Sequence, residues 1–303
     1  MIYTITANPS MDYVLNLAKF NLGEINRTGK AYTFAGGKGI NVSRVLKYLG
    51  INSTALGFIG GSAGDFIQSS ITNQGIYSKL TPIKDNTRIN VKIKAENETE
   101  INGLGPQITQ KEIDEFMSNF SMLTSEDIVV AAGSVPPALG KNFYQDLVKT
   151  VVDHQAQFVI DTTGQALLDI LPSHPLLVKP NNHELAEMFN VSFNGIDDIV
   201  YYGKKLLNKG AKYVIVSMGS DGAILITPEQ IYQSVPVNIS VKNSVGAGDS
   251  MVAGFVGIYE QSHDLLAAFK MGLACGAATA SSEDLGKTDL IKDILKNIQV
   301  NKI

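Results

Sequence analysis

Two glycine-rich stretches carry most of the chemistry that can be read from this chain. Residues 243–251 read NSVGAGDSM and run straight into an apolar, helix-periodic segment. Gly246, Ala247 and Gly248 have almost no side chain, so their amides are free to face an anion. The dipole of the following helix adds partial positive charge at the same point. Asp249 sits in that turn. A carboxylate there can simply cap the helix. It can also be a base held beside an anion hole, the pairing that phosphoryl transfer requires. Capping alone leaves the three small residues before it unexplained.

The other stretch, FAGGKGINVSR at 34–44, looks at first like a nucleotide loop. A Walker A loop places Ser or Thr after its lysine to bind magnesium; here Lys38 is followed by Gly39, and the motif is not met. Gly36, Gly37 and Gly39 still let the backbone approach a ligand, and Lys38 adds a cation. Asn41 offers both a donor and an acceptor to a hydroxyl, a combination that suits a sugar. The alternative is a plain strand-to-helix turn. Further polar residues follow predicted strands: Asp12 in ANPSMD, Ser134 in AAGSVPP, Lys179, Asn181 and Glu184 in VKPNNHE, and Ser217, Gly219 and Gly222 in VSMGSDGA. Each alone reads as a turn or a cap. Together they place polar groups at one edge of a sheet, where open α/β folds bind ligands.

The elements that must position these residues are short apolar runs alternating with helical patterns. Strands are predicted at Ile2–Thr6, Thr54–Ile59, Ile128–Ala131, Phe158–Asp161, Leu176–Lys179, Tyr213–Ser217 and Ala223–Ile226. Several are apolar on both faces, as in buried parallel sheets. Helices are predicted at Val42–Leu49, stopped by Gly50, and at about Asp249–Tyr259. This alternation implies an open, mostly parallel sheet covered on both faces by helices. Residues 12–33 and 86–104 depart from it: YVLNL, TGKAYTF and TRINVKIKA alternate polar and apolar and lack adjacent helices. They are expected to pair into a small sheet beside the main one, either as a lid or as a passive extension. The whole of 1–303 is read as one α/β domain carrying that small sheet.

Bulk properties narrow the class. Charged residues make up 18% of the 303 and apolar ones 44%, the balance of a globular protein with a large core. The net charge of −4 shows no basic stripe, so no nucleic-acid partner is expected. No apolar run reaches membrane-spanning length, so no membrane partner is expected either. The segment MIYTITANPS lacks the charged and apolar regions of a signal peptide. One cysteine, Cys275 in the small-residue stretch MGLACGAATA, excludes an internal disulfide and reads as a core thiol. A cytoplasmic location is expected. None of the four histidines shows metal or triad spacing, although His183 lies inside the NxxE run.

In this order these residues resemble the ribokinase-like, phosphofructokinase-B family of carbohydrate kinases, over essentially the whole chain. GGKGINVSRVLKYLG at 36–50 is similar to its first signature, NSVGAGDSMVAGF at 243–255 to its second, and Asn181 to Glu184 to its NxxE pattern. The resemblance implies ATP and Mg²⁺ as cofactors. It makes Asp249 the catalytic base, with an anion hole built on Gly246, Ala247 and Gly248. Asp12, Gly37 and Asn41 would bind the sugar, with Ser134 nearby. Lys179, Asn181, Ser217, Gly219 and Gly222 would line the nucleotide side, and Glu184 would act near Mg²⁺ through water. Residues 12–33 and 86–104 would form the family's lid, which often also joins two copies in a homodimer. RINVKIKAENETEINGLGP at 88–106 is most similar to members that phosphorylate O6 of fructose 1-phosphate. Such a substrate needs extra cations, and Arg27, Lys38 and Arg88 are available. Kinases of tagatose 6-phosphate, fructose 6-phosphate, an unphosphorylated sugar or a nucleoside remain as alternatives, as does a silent sugar-phosphate or nucleotide sensor. Ser244 stands where many members carry Thr, and SSEDLGK at 281–287 lacks the Gly-Thr pattern some carry near adenine.

Overall fold

A computed structural model describes residues 1–303. In chain order its strands are β1 (Ile2–Thr6), β2 (Ser10–Asn16), β3 (Lys30–Gly36), β4 (Ser53–Ile59), β5 (Tyr77–Pro82), β6 (Arg88–Lys94), β7 (Glu98–Asn102), β8 (Ile128–Ala132), β9 (Gln157–Asp161), β10 (Leu177–Val178), β11 (Tyr213–Ser217), β12 (Ala223–Ile226), β13 (Ile231–Ser234) and β14 (Val300–Lys302). Ten form one sheet in the order β14-β13-β12-β11-β10-β9-β8-β1-β4-β5. From β5 to β11 every pairing is parallel; β12, β13 and β14 add an antiparallel edge. The expected ribokinase-like plan, a mostly parallel sheet with a separate small one, is present.

Period-2 alternation sends side chains of one strand into two cores. In β8, Val129 and Ala131 enter the core on one face, while Ile128 and Val130 enter the core on the other. In β11, Val214 and Val216 take the first face and Ile215 the second. Helices cover both, so the strands read as unbroken apolar runs. β10 shrinks to two residues where four were predicted. Pro175 and Pro180 flank that run and lack the N–H that would extend its ladder. β5, β13 and β14 were not predicted; each lies at or near a sheet edge, where half-exposed residues dilute the apolar signal.

The small sheet has the order β3-β2-β6-β7. It corresponds to the two alternating segments, with ladders set at Ser10–Gly36 and Arg88–Asn102 rather than at 12–33 and 86–104. Residues 17–29 connect β2 to β3 outside any strand. Register places Asp12 opposite Asn90, and Lys92 opposite Glu100. Even-numbered residues therefore share one face and odd-numbered ones the other.

Both signature loops end in helices that start earlier than the periodicity suggested. One runs Lys38–Tyr48 and one Ala247–Ser262. Small and charged residues in their first turns hide the apolar repeat. The second packs against helix Leu265–Ala280 at backbone distance: a Cβ on Gly254 would lie 2.7 Å from the Met271 carbonyl oxygen. That approach fixes the helix whose N-terminus carries GAGD. Gly254→Val is expected to force the two helices apart and destabilise the protein by roughly 1–3 kcal/mol, read as a lower urea midpoint at unchanged slope.

Candidate active site

A cleft of about 1100 Å³ opens at the carboxyl ends of β1, β8, β9 and β11 and runs beneath the small sheet. It is lined by nearly every residue singled out in the sequence: Asp12, Gly37, Lys38, Asn41, Arg88, Ser134, Lys179, Asn181, Glu184, Ser217, Gly219, Gly222 and Gly246 to Asp249. Arg27 is the exception. It is exposed in the 17–29 connection and lines no part of the cleft. That connection leaves the β2–β3 ladder beyond its last pair, Asn16 and Lys30, so Arg27 is not held on the ladder that carries Asp12 to the cleft.

The GAGD turn departs from the expectation at Ala247, whose amide donates to the Ser244 carbonyl at 3.2 Å and is not free to face an anion. Gly246 has φ 79° and caps helix Ala247–Ser262, a left-handed conformation that a β-carbon disfavours. The amides of Gly248 and Asp249 find no acceptor within the chain. Ser250 Oγ donates to the Gly246 carbonyl and shares a hydrogen with Thr279 Oγ1, which accepts from the Gly286 amide. The turn is thus tied to helix Leu265–Ala280 and to the 281–287 loop.

Asp249 is 6% exposed. Its Oδ2 accepts from Asn41 Nδ2 at 2.8 Å, which joins the two signatures directly. Burial, aided by the charge of Asp161, raises its pKa to about 6 against the pull of Asn41, Lys38 and Lys179. Asp161, at the end of β9, was not singled out in the sequence. Its Oδ2 lies 2.9 Å from Lys38 Nζ and its Oδ1 3.6 Å from Lys179 Nζ. Burial opposes its ionisation, but Lys179 and Lys38 outweigh that and hold it below the usual carboxylate range. The Lys38 ammonium is shifted upward; burial would lower it, and Asp161 reverses the direction. Two nearby carboxylates are therefore set apart: one firmly anionic, one close to accepting a proton near neutrality.

At the small-sheet end, Asp12 Oδ1 accepts from Ser10 Oγ and Asn90 Nδ2, at 2.6 and 2.9 Å. Lys92 Nζ stands 3.9 Å from Asp12 Oδ2 and 3.3 Å from Glu100 Oε1. Arg88 lines the cleft but commits three N–H groups to the carbonyls of Asn8 and Gly103. Ser134 Oγ accepts weakly from Asn8 Nδ2 at 3.4 Å. Asn90 and Lys92 were missed, although the alternation around Arg88 puts them on one face with Asp12.

At the other end, Asn181 and Glu184 form a reciprocal cap on helix Asn182–Met188: Asn181 Oδ1 accepts from the Glu184 amide, and Glu184 Oε2 from the Asn181 amide. The Asn181 backbone also bridges to Ser217. Gly219 and Gly222 both have positive φ in the turn between β11 and β12. Val237, Ile239 and Val241 form an apolar wall facing Leu273, Ala277 and Ala280. This wall went unassigned; its signal was the alternation in VPVNISVKN. His183 also lines the cleft, and Cys275 is a buried core thiol that burial pushes up to about 12.

A donor-rich turn beside a buried carboxylate of raised pKa, at the sheet end of an α/β fold, defines a group-transfer site for anionic ligands. Residues 5–291 match the pfkB family of carbohydrate kinases, and the chain belongs to that family. It is a phosphotransferase acting on an alcohol group. It is 42% identical to the 1-phosphofructokinase of Bacillus subtilis (strain 168), over all of both chains. It is 36% identical to the tagatose-6-phosphate kinase of Staphylococcus epidermidis (strain RP62A), again over all of both. Its fold superposes on Escherichia coli phosphofructokinase-2 in complex with fructose-6-phosphate with a TM-score of 0.91, at 28% identity and 98% coverage of each chain.

The raised pKa of Asp249 has a consequence for stability. Its folded value lies above the unfolded one, so the contribution is fully present below about pH 4 and is lost as pH rises through about 6. At pH 7.5 the buried charge costs up to about 3 kcal/mol. Asp249→Asn keeps the shape and can still accept from Asn41. It is expected to be more stable than wild type at pH 7.5, with the advantage gone at pH 4, in urea unfolding at both pH values.

Proposed function

We propose that the protein transfers the γ-phosphoryl group of ATP to O6 of fructose 1-phosphate, giving fructose 1,6-bisphosphate and ADP. The observation that carries the phosphoryl-transfer step is Asp249: buried, with a pKa of about 6, beside two amides without acceptors. Asp249 takes the O6 proton as O6 bonds to the γ-phosphorus and the bond to the β-γ bridging oxygen breaks. The Gly248 and Asp249 amides donate to the equatorial oxygens, and Lys38 and Lys179 supply positive charge around them. Gly246 and Ala247 give the turn its shape. The choice of fructose 1-phosphate rests on the similarity to the Bacillus subtilis enzyme and on the cations lining the cleft.

The adenine ring fits the apolar wall of Val237, Ile239 and Val241, with Ser217, Gly219 and Gly222 along the adjoining turn and Asn181 beneath the phosphates. The sugar lies under the small sheet, its hydroxyls against Asp12, Asn41 and the Gly37 backbone, with Ser134 and Arg88 alongside. The small sheet acts as a lid that excludes water during transfer. No group of three or more His, Cys, Asp or Glu side chains could cage a metal. A free Glu184 oxygen in the cleft suits Mg²⁺, which prefers substrate phosphates and water with one or two carboxylates. Glu184 would hold it, through water, and the ion would neutralise charge on the phosphates.

The outer, odd-numbered face of the lid exposes Tyr13, Ile89 and Ile101. A second copy of the chain would cover it, giving a homodimer whose outer rim includes Arg27. ATP and sugar phosphates are charged cellular metabolites, so the reaction belongs in the cytoplasm; no helix is long and apolar enough to cross a membrane.

Steady-state assays with ATP and Mg²⁺ against fructose 1-phosphate, tagatose 6-phosphate and fructose 6-phosphate are expected to give the highest kcat/KM for the first. A higher value for tagatose 6-phosphate would reassign the substrate. No ADP release with any of them would favour a silent sensor. Asp249→Asn is expected to lose about three or more orders of magnitude in kcat. In the wild type kcat should rise with pH and level off above about 6. A flat profile between pH 5 and 7.5 would exclude Asp249 as the base.

A further inference from the structure

Four cations line the cleft: Lys38, Arg88, Lys92 and Lys179. Three already have fixed work. Lys38 and Lys179 grip Asp161, and the charges of Asp249 and Glu184 also act on Lys38, which places that pair at the transfer end. Arg88 is braced against the Asn8 and Gly103 carbonyls. Lys92 stands apart from that work: its side chain is only 16% exposed, and neither Asp161 nor a backbone carbonyl engages its ammonium. It hangs between Asp12 at 3.9 Å and Glu100 at 3.3 Å.

Glu100 is the weaker anchor. It lies on β7, a strand exposed along its whole length, and its side chain is 37% exposed. A pair of this kind is worth little, because one partner is well solvated in either state. Asp12, by contrast, is held by Ser10 and Asn90. The contacts order the cleft: Asp249 to Asn41, whose backbone amide donates to the Gly37 carbonyl, then the adjoining Gly36 backbone against Asp12, then Lys92. A hexose spanning Asn41 and Asp12 with its reacting hydroxyl at Asp249 turns its far carbon toward Lys92.

We infer that Lys92 reads the phosphate that the sugar already carries, and that Glu100 holds the ammonium in place until that phosphate displaces it. The inference rests on the sugar-phosphate kinase reading and deepens it, since Arg27 is absent from the cleft and Lys38 is engaged by Asp161. A dianion offers Lys92 shorter and more numerous charge-assisted hydrogen bonds than its single 3.3 Å contact with the exposed Glu100 carboxylate. The released Glu100 turns into water at little cost. An unphosphorylated sugar leaves the Lys92–Glu100 pair intact and gains nothing from it, so the pair selects for phosphorylated substrates.

Kinetics of Lys92→Met, Lys92→Arg and Glu100→Gln test this. Lys92→Met is expected to raise KM for fructose 1-phosphate by about ten- to a hundredfold, with KM for ATP within about twofold of wild type. Lys92→Arg should recover most of that loss, because it restores a donor cation. Glu100→Gln should lower KM for fructose 1-phosphate, since the ammonium no longer has to be released. An active wild type whose KM is insensitive to Lys92→Met overturns this inference alone, as does a rise in KM on Glu100→Gln. A wild type inactive on every sugar phosphate overturns the kinase reading and this inference together.

Discussion

Everything at the site follows from the burial of two carboxylates that two lysines keep in different protonation regimes. Asp161 is ionised because Lys38 and Lys179 both reach it, and its charge helps to hold Asp249 up to about 6. An isolated buried carboxylate would be protonated and useless as a base; one fully paired with a cation would be too weak to accept a proton. Asp249 sits between these limits. It feels the lysines only at a distance and gives its one close contact to the neutral amide of Asn41. In the proposed reaction the same lysines meet charge on the transferred phosphoryl, which would couple ligand binding to the proton affinity of Asp249 through Asp161.

That balance explains why the fold spends so much close packing on one turn. The GAGD turn is fixed from below by Ser250 and Thr279, from the side by Leu285, which lies against Gly246, and from behind by the helix Leu265–Ala280. Asp284 in the same 281–287 loop forms a two-toothed ion pair with Arg44 of helix Lys38–Tyr48. Arg44 is buried, and Burial disfavours its charge, which Asp284 restores. The clasp ties the first signature helix to the loop beside the second. The Asn41–Asp249 contact is thereby a rigid join between two loops about two hundred residues apart in sequence.

How much of this the sequence disclosed depends on the range of the interaction concerned. Local rules were enough for the strands with two apolar faces and for the cap at Asn181 and Glu184, since each is settled by neighbours within a few residues. Asp161 left no local trace: DTTG after an apolar strand is an ordinary turn, and its importance comes from lysines 123 residues before it and 18 after it. Lys92 was hidden in the same way. In TRINVKIKA it is one of several alternating polar residues, and only the register with β2 and β7 shows that it stands between two carboxylates. Arg27 is the opposite case. It lies within a lid segment, but the side of the lid on which the 17–29 connection lies is a tertiary fact.

The lid shows how one ladder serves two unrelated demands. Because strand periodicity is two, β2 and β6 present Asp12, Asn90 and Lys92 to the cleft and Tyr13 and Ile89 to the outside. A one-residue slip of register would exchange the two sets, turning apolar side chains over the cleft and exposing the polar ones. Polar bonds across β2 and β6 resist that slip: Asn90 Nδ2 donates to both Ser10 Oγ and Asp12 Oδ1, and Asn90 Oδ1 accepts from the Gly103 amide. Asn90 thus sets the register that aims Asp12, and the hydrogen bonds that position this cleft-facing carboxylate are the same ones that keep the outer face apolar. The polar face over the cleft and the outward apolar surface are for this reason not independent traits of the lid: a substitution at Asn90 perturbs both at once.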